Sequence, residues 1–253
     1  MIRLDAPVWG QISSAGGSAH DLLQRLLRGE DFRANLERLS EELSHQLSFY
    51  NATAYVLPYL ADLCTKLPLE DKLYLIAYTG PAVAAEGVEP LPPDNEPYRE
   101  FQEGLVSLRH QTAALVVDEA ALDLLRADGL ELCQMFALAA LALIGDRQHA
   151  FYLYLQAGCW EFPALCPNED CGWNDETLLL EDAPECLTPR PIEAWDGTSL
   201  EDEAVWFNGL LAALGDEEFS ACLPHLYGRC TCPECGESGL FWDWIHRFFE
   251  EET

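Results

Sequence analysis

DFRANLERLSEELSHQL, residues 31–47, decides the fold. Phe32, Leu36, Leu39, Leu43 and Leu47 step by four, three, four and four, one apolar stripe along an amphipathic helix. Arg33, Glu37, Arg38, Glu41 and Glu42 fall on the wet side, and Asp31 is placed to cap the start. The same period continues on both sides. Leu22, Leu23, Leu26 and Leu27 predict a helix over 19–28. Asn51 is expected to cap a helix over 52–66, with Tyr55, Val56, Tyr59, Leu60 and Leu63 inward and a kink or restart at Pro58. Pro68 opens a fourth helix through Leu69, Leu73, Leu75 and Ile76.

Five prolines and two glycines between Gly80 and Pro97 read as a long exposed linker. Helices are then expected over 98–110, 111–125, 130–144 and 147–156, the third apolar nearly all round and hence central. Helix pairs joined by short turns predict a mostly α fold, a HEAT-like α-solenoid over 1–160, with a globular helical bundle as the competing arrangement. From 161 to 253 the pattern changes. Thr177 to Leu180 reads as a short strand, and 184–197 as irregular. Ser199 is expected to cap a helix to Leu214, Asp216 to start another to Leu226, and a last helix to run over 240–250. This second region is expected to be an acidic, zinc-stapled α+β segment packed on the first.

The staple is a pair of cysteine knuckles, Cys166-Pro-Asn-Glu-Asp-Cys171 and Cys232-Pro-Glu-Cys235-Gly236. Each is a tight turn whose two thiolates can face one ion, and four thiolates make the closed tetrahedral set of structural zinc. Cys230 is an alternative to Cys232, although Gly236 makes the latter turn the better one. Such a site holds a fold and leaves no coordination position open for chemistry. Of the ten cysteines, Cys64, Cys133, Cys159 and Cys222 lie on apolar helical stretches and read as small buried hydrophobes.

The formal net charge is −30, divided as −11 over residues 1–160 and −19 over 161–253. Acidity of this size argues against nucleic acid, which needs a basic footprint, and against anionic lipid. It suits a basic protein partner met with electrostatic steering, or serves solubility alone. The apolar run from Met135 to Ile144 is far short of a membrane span, and the N-terminus shows no apolar leader, so a cytoplasmic protein is expected. Metalloprotease, P-loop, dinucleotide and nucleophile-elbow motifs are all missing, so the expectation is not an enzyme. His45 and His110 each precede Gln and read as ordinary helix histidines; His225 and His246 are spare ligands at most.

LSEELSHQLSFYNATAYVLPYL, residues 39–60, resembles a signature of bacterial HEAT-like proteins, in which His-Gln is followed by a Tyr-x-Ala-Thr/Ser stretch and Leu-Pro-x-Leu. The chain differs from that pattern at Leu47, where Gly is common. Leu226 to Gly236 is similar to the cysteine segment that ends some of these proteins. Many of them are accessory or immunity proteins of toxin systems. The resemblance therefore implies binding without catalysis: an inhibitor that covers a basic toxin, such as a nuclease. The expected contact face is the helical run holding Glu201, Asp202, Glu203, Asp216, Glu217 and Glu218. The alternatives are a general scaffold or subunit of a larger complex, and an enzyme with an unrecognised site.

Overall fold

The computed structural model describes residues 1–85, 96–156, 161–171, 174–179 and 202–252. The chain divides into two compact units, Met1–Leu155 and Gln156–Thr253. Both are built mainly from helices, and two small sheets lie in the second. Among the described residues no helix is long and apolar enough to cross a membrane.

The first unit opens with a short 3-10 turn, Pro7–Gln11, and among the described residues eight α-helices follow. These are α1 (Ala19–Leu27), α2 (Phe32–Ser44), α3 (Asn51–Lys66), α4 (Leu69–Ala84), α5 (Glu96–Leu115), α6 (Glu119–Asp128), α7 (Leu130–Ile144) and α8 (Arg147–Gln156). The stripe on α2 is buried through Leu36, Leu39 and Leu43, at about 1.5–3 kcal/mol for each leucine taken fully out of water. α7 is buried on nearly every side from Leu132 to Leu143, against α4, α5 and α6, as its all-round apolar sequence requires. The most extensive packing joins α4 with α7 and α3 with α5, followed by α1 with α2 and α2 with α4.

Several local expectations are corrected. α3 runs unbroken through Pro58. There α5 comes so close that a Cβ on Gly104 would stand 3.2 Å from the Pro58 Cα. Gly80 and Pro81 do not end α4, which continues to Ala84, where Arg147 donates hydrogen bonds to the carbonyls of Ala84 and Ala85. The linker read from Gly80 to Pro97 is thereby reduced at both ends, and residues 86–95 lie outside the described residues. The pair expected over 98–125 is redistributed: α5 runs through His110 and Gln111, and the break falls at 116–118. Asp118 then caps α6 by accepting from the Ala120 amide at 2.9 Å.

Neither expected cap of α2 or α3 acts as one. Asp31 holds the N-cap position in a left-handed conformation, φ 36°, with no side-chain cap bond. Asn51 is itself the first residue of α3, and its Oδ1 accepts from the Ser13 amide and hydroxyl at 2.7 and 2.9 Å. Glu42, read as a wet-side acid, instead fastens the segment before α1. Its carboxylate accepts from the Ser14 and Ser18 hydroxyls, both at 2.6 Å, and from the Gly16 and Ser18 amides at 2.8 and 3.2 Å.

In the second unit β1 (Glu161–Leu165) pairs antiparallel with β2 (Asn174–Leu179), which contains part of the expected strand. The register shifts between Phe162 and Ala164, where Pro163 has no amide to donate. α9 (Asp202–Leu214) and α10 (Glu217–Leu226) follow, then a hairpin of β3 (Arg229–Thr231) and β4 (Ser238–Leu240), and last α11 (Phe241–Glu252). Phe241, Trp244 and Ile245 of α11 are fully buried, and the helix packs on β1, β3 and β4. The expected irregular stretch 184–197 and the Ser199 cap lie outside the described residues.

Candidate metal centre

The two knuckles meet in the second unit. Cys166 follows β1 directly, and the turn to Cys171 is closed by the Cys171 amide on the Asn168 carbonyl at 2.9 Å. The Asn168 side chain tightens it by accepting from the Asp170 amide at 3.0 Å. The second knuckle is the tip of the β3–β4 hairpin. The Cys232 amide donates to the Glu237 carbonyl at 2.7 Å and the Gly236 amide to the Cys232 carbonyl at 3.0 Å. Gly236 takes φ 76°, a left-handed conformation that costs glycine nothing. α11 braces the first turn: Phe241 meets Phe162 of β1 edge to face at 6.2 Å, and Arg247 donates to the Pro167 carbonyl.

The result is a cage of four sulfurs within 4.8 Å of one another, from Cys166, Cys171, Cys232 and Cys235. Cys166 and Cys235 stand 3.6 Å apart, Cys171 and Cys232 3.7 Å apart. These separations are far beyond a disulfide, about 2.05 Å, and all four are free thiols. They fit the edge of a tetrahedron with a metal–sulfur distance of about 2.3 Å, which is about 3.8 Å. The cage takes Cys232 and not Cys230, which is buried within β3. Among the described residues no histidine joins it.

The electrostatics are uneven around the cage. Burial pushes the Cys166 thiol up to about 12, against a hydrogen bond from the Asn168 backbone, and the neighbouring sulfurs push in the same direction as burial. Cys235 is exposed, and a hydrogen bond from the Glu237 backbone draws it down to about 7. Four thiolates so close repel one another, so full ionisation needs a central cation. The cage can therefore hold a metal ion by all four sulfurs and tie the β1 turn to the hairpin tip.

The expected acidic contact face comes apart. Glu201 lies outside the described residues, and Asp202 is the first residue of α9. Glu203 accepts from the Tyr227 hydroxyl at 2.6 Å. Asp216 is 1% exposed and caps α10 by accepting from the Phe219 amide at 3.0 Å, so it is no surface contact. Glu217 and Glu218 are exposed in the first turn of α10. Of the cysteines expected as buried hydrophobes, Cys64, Cys133 and Cys222 are buried, and Cys159 lies outside the described residues. His45 and His110 are both exposed on the first unit.

Sequence reasoning missed a polar groove on the first unit, lined by Glu37, Tyr78 and Met135 among others. Its residues come from α2, α4, α6, α7 and α8 and from the turn after α2, and no short motif marks such a convergence. No family model, curated protein or solved structure matches the chain.

Proposed function

We propose that this chain is a non-enzymatic protein-binding module of the toxin-immunity type, which neutralises a basic partner through its acidic surface. The observation that carries this reading is the charge, 44 acidic residues against 14 Lys and Arg. A surface of that sign speeds encounter with a basic protein and repels nucleic acid. The immunity role itself rests on the resemblance of residues 39–60 and of the knuckle segment. Inhibition of this kind needs coverage of the partner's active site and no chemistry.

Two structural refinements belong to the same reading. The metal is zinc in a structural role, a choice favoured by an all-thiolate donor set at tetrahedral spacing. The first unit is a HEAT-like solenoid, a reading favoured by the packing of the pair α1 with α2 and of the alternate helices α1 with α3, α3 with α5 and α2 with α4.

The test is purification of the tagged protein from its own cells at low and high salt, with mass spectrometry of what accompanies it. The expected result is one basic partner, retained at low salt and toxic when expressed alone. Absence of a stoichiometric partner at either salt overturns the reading.

A further inference from the structure

Two cavities of about 540 and 500 Å³ open on the first unit. Glu37 of α2, Tyr78 of α4 and Met135 of α7 line both, so they are two lobes of one groove across three helices. Glu41 lines the first lobe, Asp128 and Glu131 the second; against these carboxylates the lining offers one cation, Arg38. Tyr74 and Tyr78 form an aromatic wall, their ring centroids 4.6 Å apart. Glu37 and Glu131 line the second lobe together with Tyr74 and Tyr78, and the Tyr74 hydroxyl donates to Glu37.

Carboxylates around a cleft say little by themselves. The chain's own cation says more. The Arg33 guanidinium lies over the Tyr74 ring, 4.6 Å from its centroid, and donates to Glu70 and, at 3.4 Å, to Asp128. One end of the wall thus already recognises a guanidinium, with its face on a tyrosine and its edge on carboxylates. Tyr78 stands beside it as a second ring in a lobe that Glu37 and Glu131 also line. Among the described residues no cation lies over Tyr78. Glu131 is exposed and makes no ion pair among the described residues.

We infer that the groove between α2, α4 and α7 receives an arginine side chain presented by an extended segment of a basic protein. Arginine is favoured over lysine because its planar group stacks on a ring and bonds carboxylates at its edge simultaneously. A segment is favoured over a free small cation because two joined lobes offer more room than one side chain fills. This deepens the function proposed above, on which it rests for the partner being a basic protein, and places the contact on the first unit.

The test uses the full chain and a fluorescein-labelled decapeptide of alternating Gly and Arg, with Gly-Lys and Gly-citrulline peptides as comparisons. Fluorescence anisotropy is read at about 0.15 M salt, where long-range attraction is largely screened. The expected result is saturable one-to-one binding of the arginine peptide, about tenfold tighter than the lysine peptide, with no binding of citrulline. Glu41→Gln with Glu131→Gln, both exposed, should weaken it about tenfold, and Tyr78→Leu likewise. Glu217→Gln with Glu218→Gln removes the same charge from the second unit and should change it less than about twofold. Equal loss from the two double variants, or equal affinity for the arginine and lysine peptides, overturns the groove as an arginine receptor. A native basic partner that survives the groove variants also overturns it while leaving the proposed function standing. Groove-dependent peptide binding without any basic partner in cells leaves the site standing and overturns that function.

Discussion

Gly80 of α4 and Ala139 of α7 touch so closely that a Cβ on Gly80 would stand 2.5 Å from the Ala139 Cβ and 2.7 Å from its Cα. The same atom would meet the Tyr154 hydroxyl. Those contacts explain why a glycine followed by a proline stands inside a helix. The side chain is missing where the two most intimately packed helices of the first unit cross. Gly80→Ala should therefore cost about 2–3 kcal/mol from overpacking, despite the gain of about 0.5–1 kcal/mol that alanine brings in a helix. Gly104→Ala is the comparison. Its new Cβ would stand 3.2 Å from the Pro58 Cα, so a few tenths of an ångström of give suffices. It should fall within about 1 kcal/mol of the parent. Urea titrations of both variants check the ranking.

Glu42 supplies a pH signature. Burial works to raise its carboxyl, but hydrogen bonds from the Ser14 and Ser18 hydroxyls and the Gly16 and Ser18 amides outweigh it and bring it down to about 2. A carboxylate depressed on folding stabilises the fold fully above its unfolded value, near 4.5, and the contribution fades as pH falls to about 2. After allowance for its partial exposure this amounts to about 1–2 kcal/mol. Glu42→Gln should cost that much at pH 7, and the difference from the parent should shrink between pH 4.5 and 2. Denaturant curves of the two proteins through that range read it directly. A difference independent of pH would assign the loss to packing instead.

What the sequence showed and what it hid follow one physical division. The stripe from Leu36 to Leu43 was legible because burial follows the helical period of a single segment. The four cysteines were legible because a metal constrains spacing within each knuckle. The hairpin of Arg229–Thr231 and Ser238–Leu240 was not, since three-residue strands carry no period of their own. Gly80-Pro81 was misread because the breaker signal is local and the packing that overrides it is not. Asp216 was offered both as a helix start and as a contact. The structure keeps the first role and excludes the second, since a cap oxygen turned to its own backbone and buried is not presented to a partner. Glu42 was hidden for a related reason: its partners lie in a segment without apolar pattern.

The turn after α2 stores strain. Gln46 and Leu47 take φ 54° and 53°, left-handed values in residues that carry a Cβ. Gln46 is exposed, so its replacement loses no burial. Gln46→Gly should stabilise the first unit by about 0.5–1 kcal/mol, and the β-branched Gln46→Val should destabilise it by about as much. Thermal melts of the two variants against the parent distinguish strain from a neutral loop, which would leave both unchanged.

Removal of metal is the sharpest test of the cage. Protein prepared with zinc should carry one ion per chain, measured by mass spectrometry under native conditions. Cys166→Ser, Cys171→Ser, Cys232→Ser and Cys235→Ser should each abolish or greatly weaken that occupancy, because every sulfur lies within 4.8 Å of the others and, among the described residues, no further ligand joins them. Cys230→Ser should keep the ion, since its thiol lies in β3 outside the cage. The energetic consequence should be local. A strong chelator removes several kcal/mol of binding free energy that holds the β1 turn to the hairpin. Hydrogen exchange should then accelerate at 161–171 and 229–240, while α4 and α7 of the first unit keep their protection. Loss of protection throughout both units would mean that the two fold as one cooperative body. Unchanged exchange at the knuckles would mean that the four thiols hold their geometry without an ion, and the metal would no longer explain the fold of this region.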